Sequence, residues 1–219
     1  MGRRQTIGIE AMSLIEQVRA RAADNQLRTD MAHHGGGFWV EPLSESEIAR
    51  AESRLGKRLP SLLRAAYSDI GNGGFGPGYG LLPLILFEEP PGHETVVDIY
   101  VAFRGSVADD PAWSWPDNLV PFCDWGCAIR SCVDCASPDG AVFTFDPNVR
   151  QAGQDMSASL AATHSSVEAW LRDWVAGVRM WDLMFQPDEG RAREIVNPFT
   201  RKPFRVVPTK LRRPLPGGG

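Results

Sequence analysis

Between residues 43 and 74 the chain carries two closely spaced helix signals closed by a glycine run, and this punctuation limits the fold more than any other stretch. Ser44 followed three residues on by Glu47 is a capping box, in which each side chain satisfies a backbone N–H of the other residue, and Leu43 with Ile48 supplies the hydrophobic staple. Ile48, Ala51, Glu52 and Leu55 fall on adjoining turns, so the predicted helix buries one face, and Gly56 stands where a left-handed residue ends a helix. A second helix is predicted from Pro60, since a first-turn residue has no use for the missing N–H, and it carries Leu63, Ala66, Tyr67 and Ile70 on one face. It stops at Gly71-Asn72-Gly73-Gly74, which can supply positive φ for a sharp turn.

Beyond that turn, residues 80–87 read as a buried strand closed by Glu88, Glu89 and two prolines. A helix is predicted over residues 94–104, with Val96, Val97, Tyr100 and Phe103 on one side. Residues 127–133 and 141–146 predict two strands joined through Ser137-Pro138-Asp139-Gly140, a turn tetrapeptide with Pro at its second position, and so an antiparallel hairpin. A final helix is predicted to open at Ser165 with Glu168 three residues later, followed by Val167, Trp170, Leu171, Trp174, Val175 and Val178 in helical rhythm. Trp170, Trp174 and Trp181 read as core residues that seal a sheet. Upstream, residues 7–23 predict a weakly amphipathic helix, and His33, His34 and the three glycines after them a linker. From Pro187 onward Pro, Arg and Gly dominate and periodicity vanishes, which predicts a flexible tail. The divisions are therefore an N-terminal extension over 1–37, a domain over 38–186 and a basic tail over 187–219.

With 219 residues, 43% of them hydrophobic and 23% charged, the chain can build one sizeable core. The longest apolar run, residues 81–87, is far short of the ~20 residues that cross a bilayer, and no basic region followed by an apolar run opens the chain, so the expectation is a cytoplasmic protein without a membrane contact. The formal net charge of -4 is uneven: residues 187–219 carry eight Arg or Lys against three Asp or Glu, leaving the body at -9. An acidic body favours a cationic partner and repels nucleic acid, although acidic surfaces also serve solubility alone. The tail could contact anionic lipid or nucleic acid, or act as a solvated linker.

An enzyme needs a nucleophile, base or metal set at a recognisable spacing, and no nucleophile elbow, phosphate loop or zincin helix occurs. Residues 71–80 are glycine-rich but lack the Lys-Ser/Thr pair of a phosphate cradle, and His93 and His164 are isolated. Cys123, Cys127, Cys132 and Cys135 have the look of a zinc site, yet one knuckle is stretched and the gap between knuckles is short, so small buried residues on and beside a strand are the better reading. A hydrolase using Cys127 with a distant histidine stays an alternative, and Asp124 reads as a turn residue. A binding protein needs aromatic anchors with a charged rim. Asp109, Asp110, Trp113, Trp115 and Asp117 fit that description among prolines, outside any periodic pattern, and with Glu88 and Glu89 they form the candidate partner-facing surface. The competing reading is that at least one of the two tryptophans tucks back to cap the sheet.

Glu52, Leu55-Gly56, Leu59-Pro60 and Asn72-Gly73-Gly74, in this order and spacing, resemble the opening of the SUKH superfamily, which groups a yeast regulator of cell-wall synthesis with many bacterial immunity proteins. Residues 119–127, with Pro121-Phe122, Asp124 and Gly126, look like the family's strand start and the acidic, glycine-containing turn after it. Residues 138–143 resemble its hairpin and 166–178 its closing helix, so the likeness covers residues 38–181 and leaves out the cysteines and both tails. The resemblance implies a single α+β domain with an antiparallel sheet packed by helices, a protein-binding role, and no catalytic residues or cofactor. It further implies either an immunity protein that neutralises a toxin by direct binding or a regulatory scaffold with a cellular partner.

Overall fold

The computed structural model describes residues 12–31, 40–87, 94–105, 110–185, 193–196, 198–199 and 201–206. The helix signals at the centre of the sequence come out as expected. Helix α2 (Glu45–Leu55) has the full Ser44/Glu47 capping box, and Gly56 closes it at φ 70. Helix α3 (Ser61–Asp69) follows Pro60, and Ile48, Ala51, Leu55, Leu63, Ala66 and Tyr67 are all buried in the core. Helix α1 (Leu14–Ala23) carries its own capping box from Ser13 and Glu16 and packs on α3 and α5. The first residues of the expected helix, 7–11, lie outside the described residues. Val18 and Ala22 on α1 are fully buried, so this helix joins the same core despite its weak apolar stripe.

A five-stranded antiparallel sheet runs in sequential order, with β1 (Gly80–Leu81), β2 (Leu119–Gly126), β3 (Ile129–Asp134), β4 (Val142–Phe145) and β5 (Leu160–His164). Helix α4 (Val96–Arg104) lies between the first two strands in sequence and packs on β2 and α2. Helix α5 (Val167–Val175) seals the sheet, with Phe122 and Trp170 ring centroids 4.9 Å apart in edge contact. Helix α6 (Met180–Phe185) follows a break at Gly177, which sits at φ 73. Strands β6 (Arg193–Val196) and β7 (Pro203–Val206) form a separate antiparallel pair.

Of the run over 80–87, Gly80, Leu81 and 83–85 are buried, Leu82 and Leu86 only partly and Phe87 not at all, and it is strand only at its first two residues. Pro83 has no N–H for the ladder, and the carbonyl of Ile85 and the N–H of Leu84 turn instead to the side chain of Asn72. Strand β5 had no sequence signal, because its Leu-Ala-Ala-Thr-His segment is poor in β-formers and only its pairing to β4 makes it a strand. The cap of α5 is Ser166, one residue later than expected; its Oγ accepts from the Ala169 N–H, and Glu168 pairs with Arg172 instead of reaching back. The stretch expected to be a flexible tail contains the β6–β7 pair.

Candidate functional site

The residues that carry the family pattern are braces of the chain on itself. Glu52 is buried on α2, and its carboxylate accepts from the Leu59 N–H at 3.0 Å and from Arg64 Nε at 3.3 Å, tying α2 to the start of α3. Asn72 donates to Ile85 O and accepts from Leu84 N, both at 2.7 Å. Gly73 sits at φ 93 with its missing Cβ position 2.7 Å from the Leu81 carbonyl oxygen, so only glycine fits that approach. In β2, Asp124 accepts from the Gly126 N–H at 2.8 Å and pairs with Arg130, so it pins the strand end to β3 rather than facing a ligand. Gly126, at φ 80, leads into a turn whose two central residues, Cys127 and Ala128, also have positive φ.

Of the expected partner loop, Glu88, Glu89 and Asp109 lie outside the described residues. Asp110 turns inward: Arg150 grips it with Nη1 and Nη2 and the Gly153 N–H reaches it at 3.0 Å. The hydrogen bond from Arg150 is the chief reason its carboxyl is held down at about 2. Both tryptophans tuck back. Trp115 is buried, donates from Nε1 to Leu119 O at 2.7 Å, and meets Phe103 and Phe145 at 4.6 and 5.0 Å between centroids; Trp113, half-buried, donates to Phe103 O. The picture of exposed aromatic anchors is therefore corrected, since an indole in water would leave this apolar contact and its N–H bond unmade.

Asp117 remains outside, with its side chain 75% exposed and Arg104 at 3.3 Å. It marks one end of the sheet, where β2 begins, β3 ends and the β3–β4 turn closes. Tyr100 donates to the Asp117 carbonyl at 2.7 Å and is met by Lys57 Nζ; burial, with the Asp117 charge behind it, pushes the phenol up to about 12 and burial pushes the Lys57 ammonium down. Next along the chain, Asn118 donates to Asp134, whose carboxylate is fully buried. The turn presents Asp139 to solvent, and the Val167 N–H at the head of α5 donates to the Asp139 carbonyl. A shallow cleft of about 270 Å³ lies here, lined by Pro60, Leu62, Pro138, Asp139, Ser166 and Glu168 among others. Asp139 and Glu168 were not picked out from the sequence as site residues, although a Pro-Asp-Gly turn is exposed by its nature and could have pointed to the first.

The four cysteines do not converge. Cys123 and Cys132 are fully buried, Cys135 is half-buried and Cys127 is exposed, and burial pushes the thiols of Cys123, Cys132 and Cys135 up. Among the described residues no group of three His, Cys, Asp or Glu could hold a metal ion. Phe122 is the extra residue of a bulge between Pro121 and Cys123, which lets Phe122 and Cys123 both be buried. His33, His34 and His93 lie outside the described residues, and the one histidine among the described residues, His164, is out of reach of Cys127. The two stand at opposite ends of the sheet, roughly 17 Å apart along β3 at ~3.3 Å per residue, and His164 is buried against Asp173 at 3.2 Å.

Among the described residues no helix is long and apolar enough to cross a membrane. No curated protein matches the chain. A model of the SMI1 / KNR4 family (SUKH-1) matches residues 42–173, more than half of the chain. That span takes in the capped helix pair, the Asn-Gly-Gly turn, the bulged sheet and the helix that seals it, and the chain belongs to the SMI1 / KNR4 family (SUKH-1).

Proposed function

We propose that the chain is a non-catalytic protein-binding module, an immunity protein of the bacterial cytoplasm that holds a toxin domain inactive by covering its basic surface, without cofactor, nucleic acid or membrane. The observation that carries this reading is the sheet end of a SUKH-1 scaffold, where Asp139 and Glu168 stand exposed around a shallow cleft and Asp117 stands exposed just before β2. Exposed carboxylates on an acidic body steer a cationic partner towards them. Two of the buried carboxylates support the same reading, because Glu52 and Asp110 are each paired with an arginine that holds two parts of the fold together.

The test is capture of the partner with this protein as bait in lysate of its source, followed by a growth assay of the captured partner alone and with this protein. A partner whose lethality disappears on co-expression supports immunity. A captured housekeeping or wall-synthesis protein with no lethality overturns it in favour of a regulatory scaffold. In the immunity case, replacing Asp117, Asp139 and Glu168 with Ser should weaken the complex at least about tenfold, mostly at low salt; unchanged affinity would remove the sheet end from the account.

A further inference from the structure

The β6–β7 pair touches the domain through the loop between its strands. Pro198 is buried, Phe199 packs against the hydrophobic core, and Arg201 Nη1 donates to Asp134 Oδ2 at 2.8 Å. Asp134 is prepared for that contact by the sheet end itself. Its other oxygen, Oδ1, accepts from Asn118 Nδ2 and from the Ala136 N–H, so the carboxylate is oriented before any arginine arrives. Arg201 stands at φ 57, a left-handed backbone that side-chain-bearing residues seldom adopt. A buried carboxylate without its cation is costly, and a guanidinium answers it with a charge-assisted hydrogen bond.

We propose that the sheet end around Asp134 is a docking surface for a protein loop that presents an arginine beside an aromatic residue, and that the chain's own hairpin tip occupies it in the free protein. This rests on the protein-binding reading above and narrows it: the basic loop of the partner takes the place of Phe199 and Arg201. The surroundings suit such a guest, since the exposed Asp117 adjoins Asn118 and the exposed Asp139 lies in the turn that follows Asp134. A tethered tip competes at high local concentration, so a small contact suffices to hold it, and a partner must add contacts of its own to displace it.

The experiment uses the isotope-labelled full chain and a synthetic peptide of residues 193–206 as probe, followed by NMR. In the unaltered chain the peptide should leave the Asn118 and Ala136 amides in place, because the tip already holds the Asp134 carboxylate to which both donate. In Arg201→Ala those amides should shift saturably, and the β6–β7 amides should exchange about tenfold faster than before. Shifts of equal size in both chains, or in neither, overturn the proposal. Phe199→Ala frees the same surface by a second route if Arg201→Ala does not fold. A toxin partner, once captured, should also speed exchange in β6 and β7; a partner that binds with the hairpin still protected overturns the docking surface and leaves the protein-binding reading standing. Failure to capture any toxin counts against immunity alone, since the peptide titration decides the surface without it.

Discussion

The helix pair with its Asn-Gly-Gly turn and the sheet end beside α3 use polar residues in opposite ways. In the first region Glu52 and Asn72 are buried and their hydrogen-bonding atoms are spent on Leu59, Arg64, Leu84 and Ile85. At the sheet end Asp117, Asp139 and Glu168 reach into water, and two of them keep surface ion pairs with Arg104 and Arg172. A buried polar group must find a partner inside the chain, whereas an exposed one can wait for a partner outside. The family pattern is thus legible because it encodes folding, and it says little about what is bound.

That contrast can be broken by substitution. Gly73→Ala should be the most damaging, because its methyl would meet the Leu81 carbonyl at 2.7 Å in a backbone already at φ 93. A loss above about 3 kcal/mol is expected in urea unfolding, and a loss near zero would mean the turn relaxes freely. Asn72→Ala strands the Leu84 N–H and the Ile85 carbonyl in the interior, for about 2–3 kcal/mol in the same assay. Asp110 sharpens the comparison, since it lies in the loop first expected to face a partner but behaves like the helix-pair residues. Arg150 holds its folded carboxyl at about 2, below the ordinary 3.8, so the stabilisation is present above the unfolded value and lost as pH falls from about 4 towards 2. Acid unfolding of the natural chain should show that loss, and Asp110→Asn should lack it. The smallest effect belongs to Asp117→Ser with Glu168→Ser, where exposed ion pairs predict a change in stability within ~0.5 kcal/mol and all the consequence in partner affinity. A large fall in melting temperature would erase the distinction between the two regions.

Legibility follows the range of the interaction. The Ser44 and Glu47 cap, the stop at Gly56 and the β3–β4 turn are written within a few residues, and each appears where its signal stands. Strand β5 and the early end of β1 depend on neighbours distant in sequence: β5 exists through its pairing with β4, and β1 stops at Pro83 and at the Asn72 side chain. Trp113 and Trp115 show the same limit from the other side. Their setting among prolines and acids suggests exposure, while Phe103 and Phe145, from two other elements, supply the apolar wall that draws them in.

The sequence by itself determined the capped helices, the glycine turn and the hairpin turn, because each rests on backbone preferences and on apolar spacing along a short stretch, and the ordered motifs carried the resemblance that implied the α+β class and the family. Tertiary structure alone decided which acids face water, which tryptophans are core, and that Arg201 meets Asp134 across 67 residues of chain. Burial and ion pairing depend on what packs opposite a residue, and only the folded chain brings that neighbour into place.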